Sequence, residues 1–164
     1  MSDQLFVPID FAVPDGLTAE EFRLEPLGPQ HDAADYAAWT ASTGHIRGTP
    51  GFAGWGWPHE MSQADNLRDL QRHAQDFAER RGFTYTVLST GTGDVIGCVY
   101  IYPPRGDGPG GTEAGRHAVV RSWVRADRAA LAPSFTTWFW HGWSVTGRSA
   151  RSSTRHGHDL RSIP

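Results

Sequence analysis

The sequence predicts a mixed α/β (α+β) domain, on three observations: successive strand-like runs between Phe83 and Arg128, helix signals ahead of them, and turn chemistry at the junctions. The first run, Thr84–Leu88, alternates β-branched and aromatic residues. It stops at Thr90-Gly91-Thr92-Gly93-Asp94, where glycine accepts the positive φ of a tight hairpin. The second, Val95–Tyr102, is too continuously apolar for a sheet with one wet face and reads as a central, covered strand; Pro103-Pro104 ends it by removing two backbone donors. The third, Ala118–Val124, leads through Arg125-Ala126-Asp127-Arg128 toward a helix. Such a junction leaves N–H groups unpaired and suits an anionic or carbonyl-rich ligand.

At 164 residues the chain has room for one domain with a real core. Its net charge of -3 argues against general nucleic-acid binding, which normally shows as a basic balance. A single cysteine, Cys98, excludes an internal disulfide and a multi-thiolate metal site, and fits a reducing cytoplasm. No stretch has the apolar length of a membrane span, and no charged-then-apolar leader opens the chain, so a soluble, cytoplasmic protein is expected.

In chain order, residues 1–21 scatter Phe6, Phe11 and other apolar residues among prolines, as an extended arm whose phenylalanines need a groove. Glu21–Leu27 alternates as a half-buried first strand. From Pro29 to Ser42 a helix is expected: Pro29 suits its first turn, Asp32 and Asp35 favour its positive end, Ala33, Tyr36, Ala37 and Trp39 suggest its apolar face, and Gly44 closes it. Residues 43–60 form a glycine-rich loop whose Phe52, Trp55 and Trp57 read either as a pocket wall or as packing on their own domain. Ser62 with Asp65 is a capping box for the clearest helix, with apolar Leu67, Leu70, Ala74 and Phe77 and an end at Gly82. After Asp127 acidic residues vanish as far as Gly157. The domain is read as 22–145 and residues 146–164 as a basic, disordered tail, with Trp143–Thr146 the one short strand candidate. Consecutive Trp138-Phe139-Trp140 cannot all face one side of a helix, which motivates self-association, in its simplest form a homodimer.

The order strand, helix, helix, strand, strand, strand, helix resembles the first two-thirds of the GCN5-related N-acetyltransferase fold, a mostly antiparallel sheet flanked by helices. The resemblance covers about residues 20–130. It rests on Phe22–Leu27, the helix with Asp65-Asn66-Leu67 and Phe77-Ala78, Gly93–Ile101 and Val120–Arg125. It implies acetyl-coenzyme A as cosubstrate: Trp123, Val124 and Arg125 beside the pantetheine arm, Arg128 onward facing the pyrophosphate. It also implies an acceptor amine, on a small molecule or a protein, between Phe52, Trp55, Trp57 and the Ser62 helix. The chain departs from the family pattern in two places. Residues 125–133 contain no glycine, and no tyrosine follows Tyr102 to protonate a thiolate, so the C-terminal part is read as atypical or incomplete.

Acetyl transfer to an amine needs a base, oxyanion donors and an acid for the thiolate. Glu113 and His117 are the candidate bases, weighed against both being surface groups beside a loop. The resemblance implies the backbone N–H after Trp123 as the oxyanion donor. His141, His156 and His158 read as incidental rather than as a metal site, and Cys98 as a core residue rather than a nucleophile. Two functional readings stand: an acetyl-coenzyme A-dependent N-acyltransferase, and a catalytically degenerate relative that binds a ligand or partner.

Overall fold

The computed structural model describes residues 5–104, 117–135, 137 and 151–152. In chain order the elements are β1 Leu17–Thr18, β2 Phe22–Pro26, a 3-10 turn Pro29–His31, α1 Asp32–Thr40, α2 Thr43–Arg47, α3 Gln63–Ala78, β3 Phe83–Ser89, β4 Val95–Tyr102, β5 His117–Val124, a 3-10 helix Ala126–Leu131 and β6 Arg151–Ser152. The strands lie side by side in sequence order, antiparallel from β1 to β5, with β6 parallel to β5 at His117 and Ala118.

The three central strands form where expected. Gly93, at φ +76°, turns the β3–β4 hairpin. β4 carries one extra residue at Ile96, because Val87 faces Gly97 while Leu88 faces Val95, a bulge that bends the strand. β3 is buried along its whole length, as a strand covered on both faces must be.

The two faces are covered differently. On one, Phe22, Leu24, Phe83, Tyr85, Val87, Ile96, Val99, Ile101 and Val124 meet Phe135 and the arm residues Phe6, Val7, Phe11 and Val13. Phe6 lies 5.9 Å from Phe83 ring to ring, so the arm's phenylalanines do find their groove. Arg80 fixes the arm by donating from Nη2 to the carbonyls of Pro8 (2.7 Å) and Phe11 (2.6 Å). The Tyr85 hydroxyl donates to the Pro14 carbonyl at 2.7 Å. On the other face Leu88, Val95, Cys98 and Trp123 pack against Leu27, Ala38, Trp39, Ile46, Phe52 and Leu70 from the helices and the loop.

Several expectations change. The buried stripe of α1 is Asp35, Ala38 and Trp39, continued by Ser42, while Ala33 and Ala37 are exposed. The spacing i, i+3, i+4, i+7 is that of one helix face. Partners on α3 and beyond β5 draw its two polar members inward. Gly44 does not close the helix but lies in α2. Ser62 caps α3 as expected, its Oγ accepting from the Asp65 N–H at 3.1 Å. The helix nevertheless ends at Ala78, before Gly82. Gly82 serves packing instead: a Cβ there would overlap the Tyr102 ring. Arg151–Ser152, inside the stretch read as a disordered tail, pairs with β5; a two-residue ladder needs only backbone groups, so no side-chain pattern announces it. Trp143–Thr146, Trp138-Phe139-Trp140, His141, His156 and His158 lie outside the described residues.

Candidate active site

β5 organises the site. The Arg125 N–H donates to the Ile96 carbonyl at 2.8 Å, and the register pairs Cys98 with Trp123 and Val99 with Ser122. Backbone groups of successive strand residues point to opposite sides, so Trp123 and Arg125 bond toward β4 while Ser122 and Val124 present N–H and C=O to the outer edge. Among the described residues no strand pairs with that edge beyond Ala118. Gly97 lets the strands close up here, since a Cβ at this position would overlap the Trp123 carbonyl oxygen and crowd the Phe135 ring at 2.9 Å.

The side chains expected to bind ligand divide. Trp123 is fully buried on the helix-covered face, and its Nε1 donates to the Tyr100 hydroxyl at 3.1 Å. Val124 is buried on the opposite face. Arg125 is held by Asp127, Nε to Oδ1 at 2.8 Å and Nη2 to Oδ2 at 2.5 Å. The Ala126 N–H donates to Ser42 Oγ at 3.0 Å, and the Arg128 N–H to the Arg125 carbonyl at 2.9 Å. A cleft of about 480 Å³ opens beside this segment, lined by Ala34, Ala37, Ala38, Ala41 and Ser42 and by Asp94, Arg125 and Asp127 across from them.

The three loop aromatics also separate. Phe52 is a core side chain, 6.2 Å from the Tyr100 ring. Trp57 is half-buried against Trp39 (5.9 Å) and Trp123 (6.3 Å). Trp55 is 47% exposed, and the Arg121 guanidinium stacks 4.0 Å over its ring, a cation–π pair. Glu113 lies outside the described residues. His117 opens β5, with its backbone opposite Arg151.

The sequence reading passed over a set of polar groups beneath the helices. Asp35 is buried and accepts from Asn66 Nδ2 at 3.3 Å, while Asn66 Oδ1 accepts from Trp39 Nε1 at 3.0 Å. Burial raises its carboxyl to about 7, further raised by Asp32 and partly offset by the Asn66 bond. Burial, with the Asp35 charge adding to it, pushes the Cys98 thiol well up, so this cysteine is the inert core residue that its mid-strand position suggests. Burial raises the Tyr100 hydroxyl too. A histidine on the inner stripe of α3, three residues after Leu70 and four before Phe77, was the available signal for a second polar cluster. There His73 Nδ1 lies 2.8 Å from the Tyr102 hydroxyl and 3.1 Å from Thr84 Oγ1. Among the described residues no cluster of three or more metal-ligating side chains is assembled, and no helix is long and apolar enough to cross a membrane.

No family model matches the sequence, and no curated protein matches it significantly. Solved structures do match the fold. Against ribosomal-protein-S5-alanine acetyltransferase from Vibrio fischeri the TM-score is 0.57 at 10% identity, covering 78% of this chain and 66% of that one. Against a GnaT-family acetyltransferase from Bordetella pertussis it is 0.56 at 17% identity, covering 83% and 75%. Against the microcin C7 self-immunity acetyltransferase MccE, determined with acetyl-CoA and AMP, it is 0.58 at 11% identity, covering 82% and 69%. The chain thus spans about two thirds to three quarters of the length of these structures. Five antiparallel strands in sequence order, α1 and α3 packed on one face, and these matches give one conclusion: the chain has the fold of the GCN5-related N-acetyltransferases.

Proposed function

We propose that the chain is an acetyl-coenzyme A-dependent N-acyltransferase that acetylates an amine on a small molecule or a protein. The observation that carries this reading is the outer edge of β5, where Ser122 and Val124 offer N–H and C=O groups to an extended amide-containing ligand. The pantetheine arm of the cosubstrate has amides suited to such an edge, and the Val124 N–H can hold a carbonyl oxygen as charge grows on it. Bound there, the cosubstrate supplies the activated acetyl group. On the helix-covered side, Trp55 and Arg121 at the surface and Tyr100, Phe52 and Trp57 behind them form the acceptor side. Glu113 and His117, the candidate bases read from the sequence, are tested by single glutamine substitutions.

The phosphate end fits less well. Asp127 neutralises Arg125, Ser42 occupies the Ala126 N–H, and no glycine lets backbone approach an anion closely. The cleft beside this segment is roomy enough to admit phosphates, but Arg128 then has to supply the cation or the Arg125–Asp127 pair has to open. That closure favours the second reading, a degenerate acyltransferase-like domain that binds a ligand or partner.

Calorimetric titration with acetyl-coenzyme A and with desulfo-coenzyme A separates the two. Micromolar binding of both, followed by turnover in an amine screen, supports the enzyme. A folded protein that binds neither up to millimolar concentration is the degenerate relative.

A further inference from the structure

The cluster around His73 has the furnishing of an acid–base site. Tyr102 donates its one proton to Asp76 Oδ2 at 3.1 Å, and Asp76 is also paired with Arg81 at 3.0 Å and can only accept. A bond to a charged acceptor outweighs one to a neutral nitrogen, so the Tyr102 proton stays on Asp76. The contact between His73 Nδ1 and the Tyr102 oxygen, 2.8 Å, is therefore an Nδ1–H donation, with Thr84 Oγ1 sharing it at 3.1 Å. With Nδ1 protonated, the lone pair sits on Nε2. Among the described residues Nε2 has no hydrogen-bond partner, and the side chain is only partly buried.

The imidazole faces the acceptor side. Its ring lies 5.5 Å from that of Tyr100, which also touches Phe52 and holds the Trp123 indole. Tyr100 stands opposite Arg121, one residue along β5 from Ser122, whose N–H faces the outer edge. Gly82 leaves room for the Tyr102 ring beneath this chain of contacts.

We propose that His73 is the catalytic base for the acceptor amine, with Tyr102 and Asp76 as its positioning residues. The substrate ammonium gives one proton to Nε2. The freed lone pair forms the new C–N bond as the C–S bond breaks, the second N–H proton leaves with the departing sulfur, and the imidazolium returns its proton to water. The imidazolium, while it lasts, is stabilised through Nδ1–H, Tyr102 and Asp76. Groups facing the ring are Asp69, Arg72 and Asp76 from α3, Tyr100 and Tyr102 from β4 and Thr84 from β3. Burial and then Arg72 lower the imidazole below its ordinary 6.5, against opposing pulls from Asp69 and Asp76, so it is a neutral base at pH 7.

The proposal rests on the acyltransferase reading, and the experiment keeps the two apart. In the wild type, kcat/KM against pH should rise along an acid limb with a midpoint below 6.5. His73→Gln should lower kcat/KM by about 10²- to 10⁴-fold and erase that limb, with acetyl-coenzyme A affinity unchanged. Tyr102→Phe, which keeps the ring that fills the space over Gly82, should displace the limb. Nitrogen-15 NMR of the free protein should show the Nδ1–H tautomer. Wild-type turnover that ignores His73→Gln, or an Nε2–H tautomer at neutral pH, overturns the assignment. A wild type that neither binds acetyl-coenzyme A nor turns over overturns the parent reading, and this one with it.

Discussion

The two faces of the sheet are built from the same strands and obey opposite rules. Under the arm, alternate residues of β2, β3 and β4 make a nearly pure apolar layer, with the Tyr85 hydroxyl satisfied by one carbonyl at its margin. Under α1 and α3 the same strands bury Thr84, Thr86 and Cys98 beside Asp35, Asn66 and His73. Among the described residues Thr86 Oγ1 has no hydrogen-bond partner. Unsatisfied or charged buried groups cost free energy, so the first face supplies stability and the second spends part of it. Polar groups retained at that cost are where a fold keeps its chemistry.

Substitutions should separate the faces. The largest effect is expected from Phe83→Ala on the arm-covered side, where a fully buried ring meets Phe6 and Phe77; about 3–5 kcal/mol of stability should be lost, read by urea denaturation. Asp35→Asn on the helix-covered side should act in the other direction. A carboxyl raised from 3.8 to about 7 holds its proton more tightly folded than unfolded, so its contribution is complete below pH 4 and is lost as pH rises through 7. The amide keeps the bond to Asn66 without a buried charge. At pH 8 the variant should therefore be more stable than the parent by on the order of 2–4 kcal/mol, and at pH 4 no different. Equal urea midpoints at pH 8 would show that Asp35 is not burdened by its charge. The smallest effect on stability belongs to Trp55→Ala, within about 0.5 kcal/mol, because the ring is half in water. If this face is the acceptor side, the same variant should raise KM for the amine and leave acetyl-coenzyme A affinity alone.

The contrast also explains what the sequence could show. β3, β4 and β5 were legible to within a residue or two because each is a run rich in β-branched and aromatic residues, with glycine or proline bounding β3 and β4, and Ser62 announced α3 through its capping box. The apolar face needed only that pattern. The helix-covered face did not follow it. The buried stripe of α1 passes through Asp35 and Ser42, which an apolar count assigns to the outside. Phe52 and Trp57, read as one wall with Trp55, turn inward to Trp39 and Trp123 from elements distant in sequence. His73, Thr84, Tyr102 and Asp76 come from α3, β3 and β4, so only the fold brings them together. Likewise the bonds from Arg125 to Asp127 and from the Ala126 N–H to Ser42 became visible only with the strand-to-helix junction in place.

Acetyl-coenzyme A should lie along the outer edge of β5. Amide chemical shifts of the protein, followed by proton–nitrogen correlation NMR as acetyl-coenzyme A is added, test it most directly. The largest changes are expected at Ser122 and Val124, with smaller ones from Arg125 to Arg128. Saturating ligand that leaves Ser122 and Val124 unmoved, or moves only residues remote from β5, would contradict it.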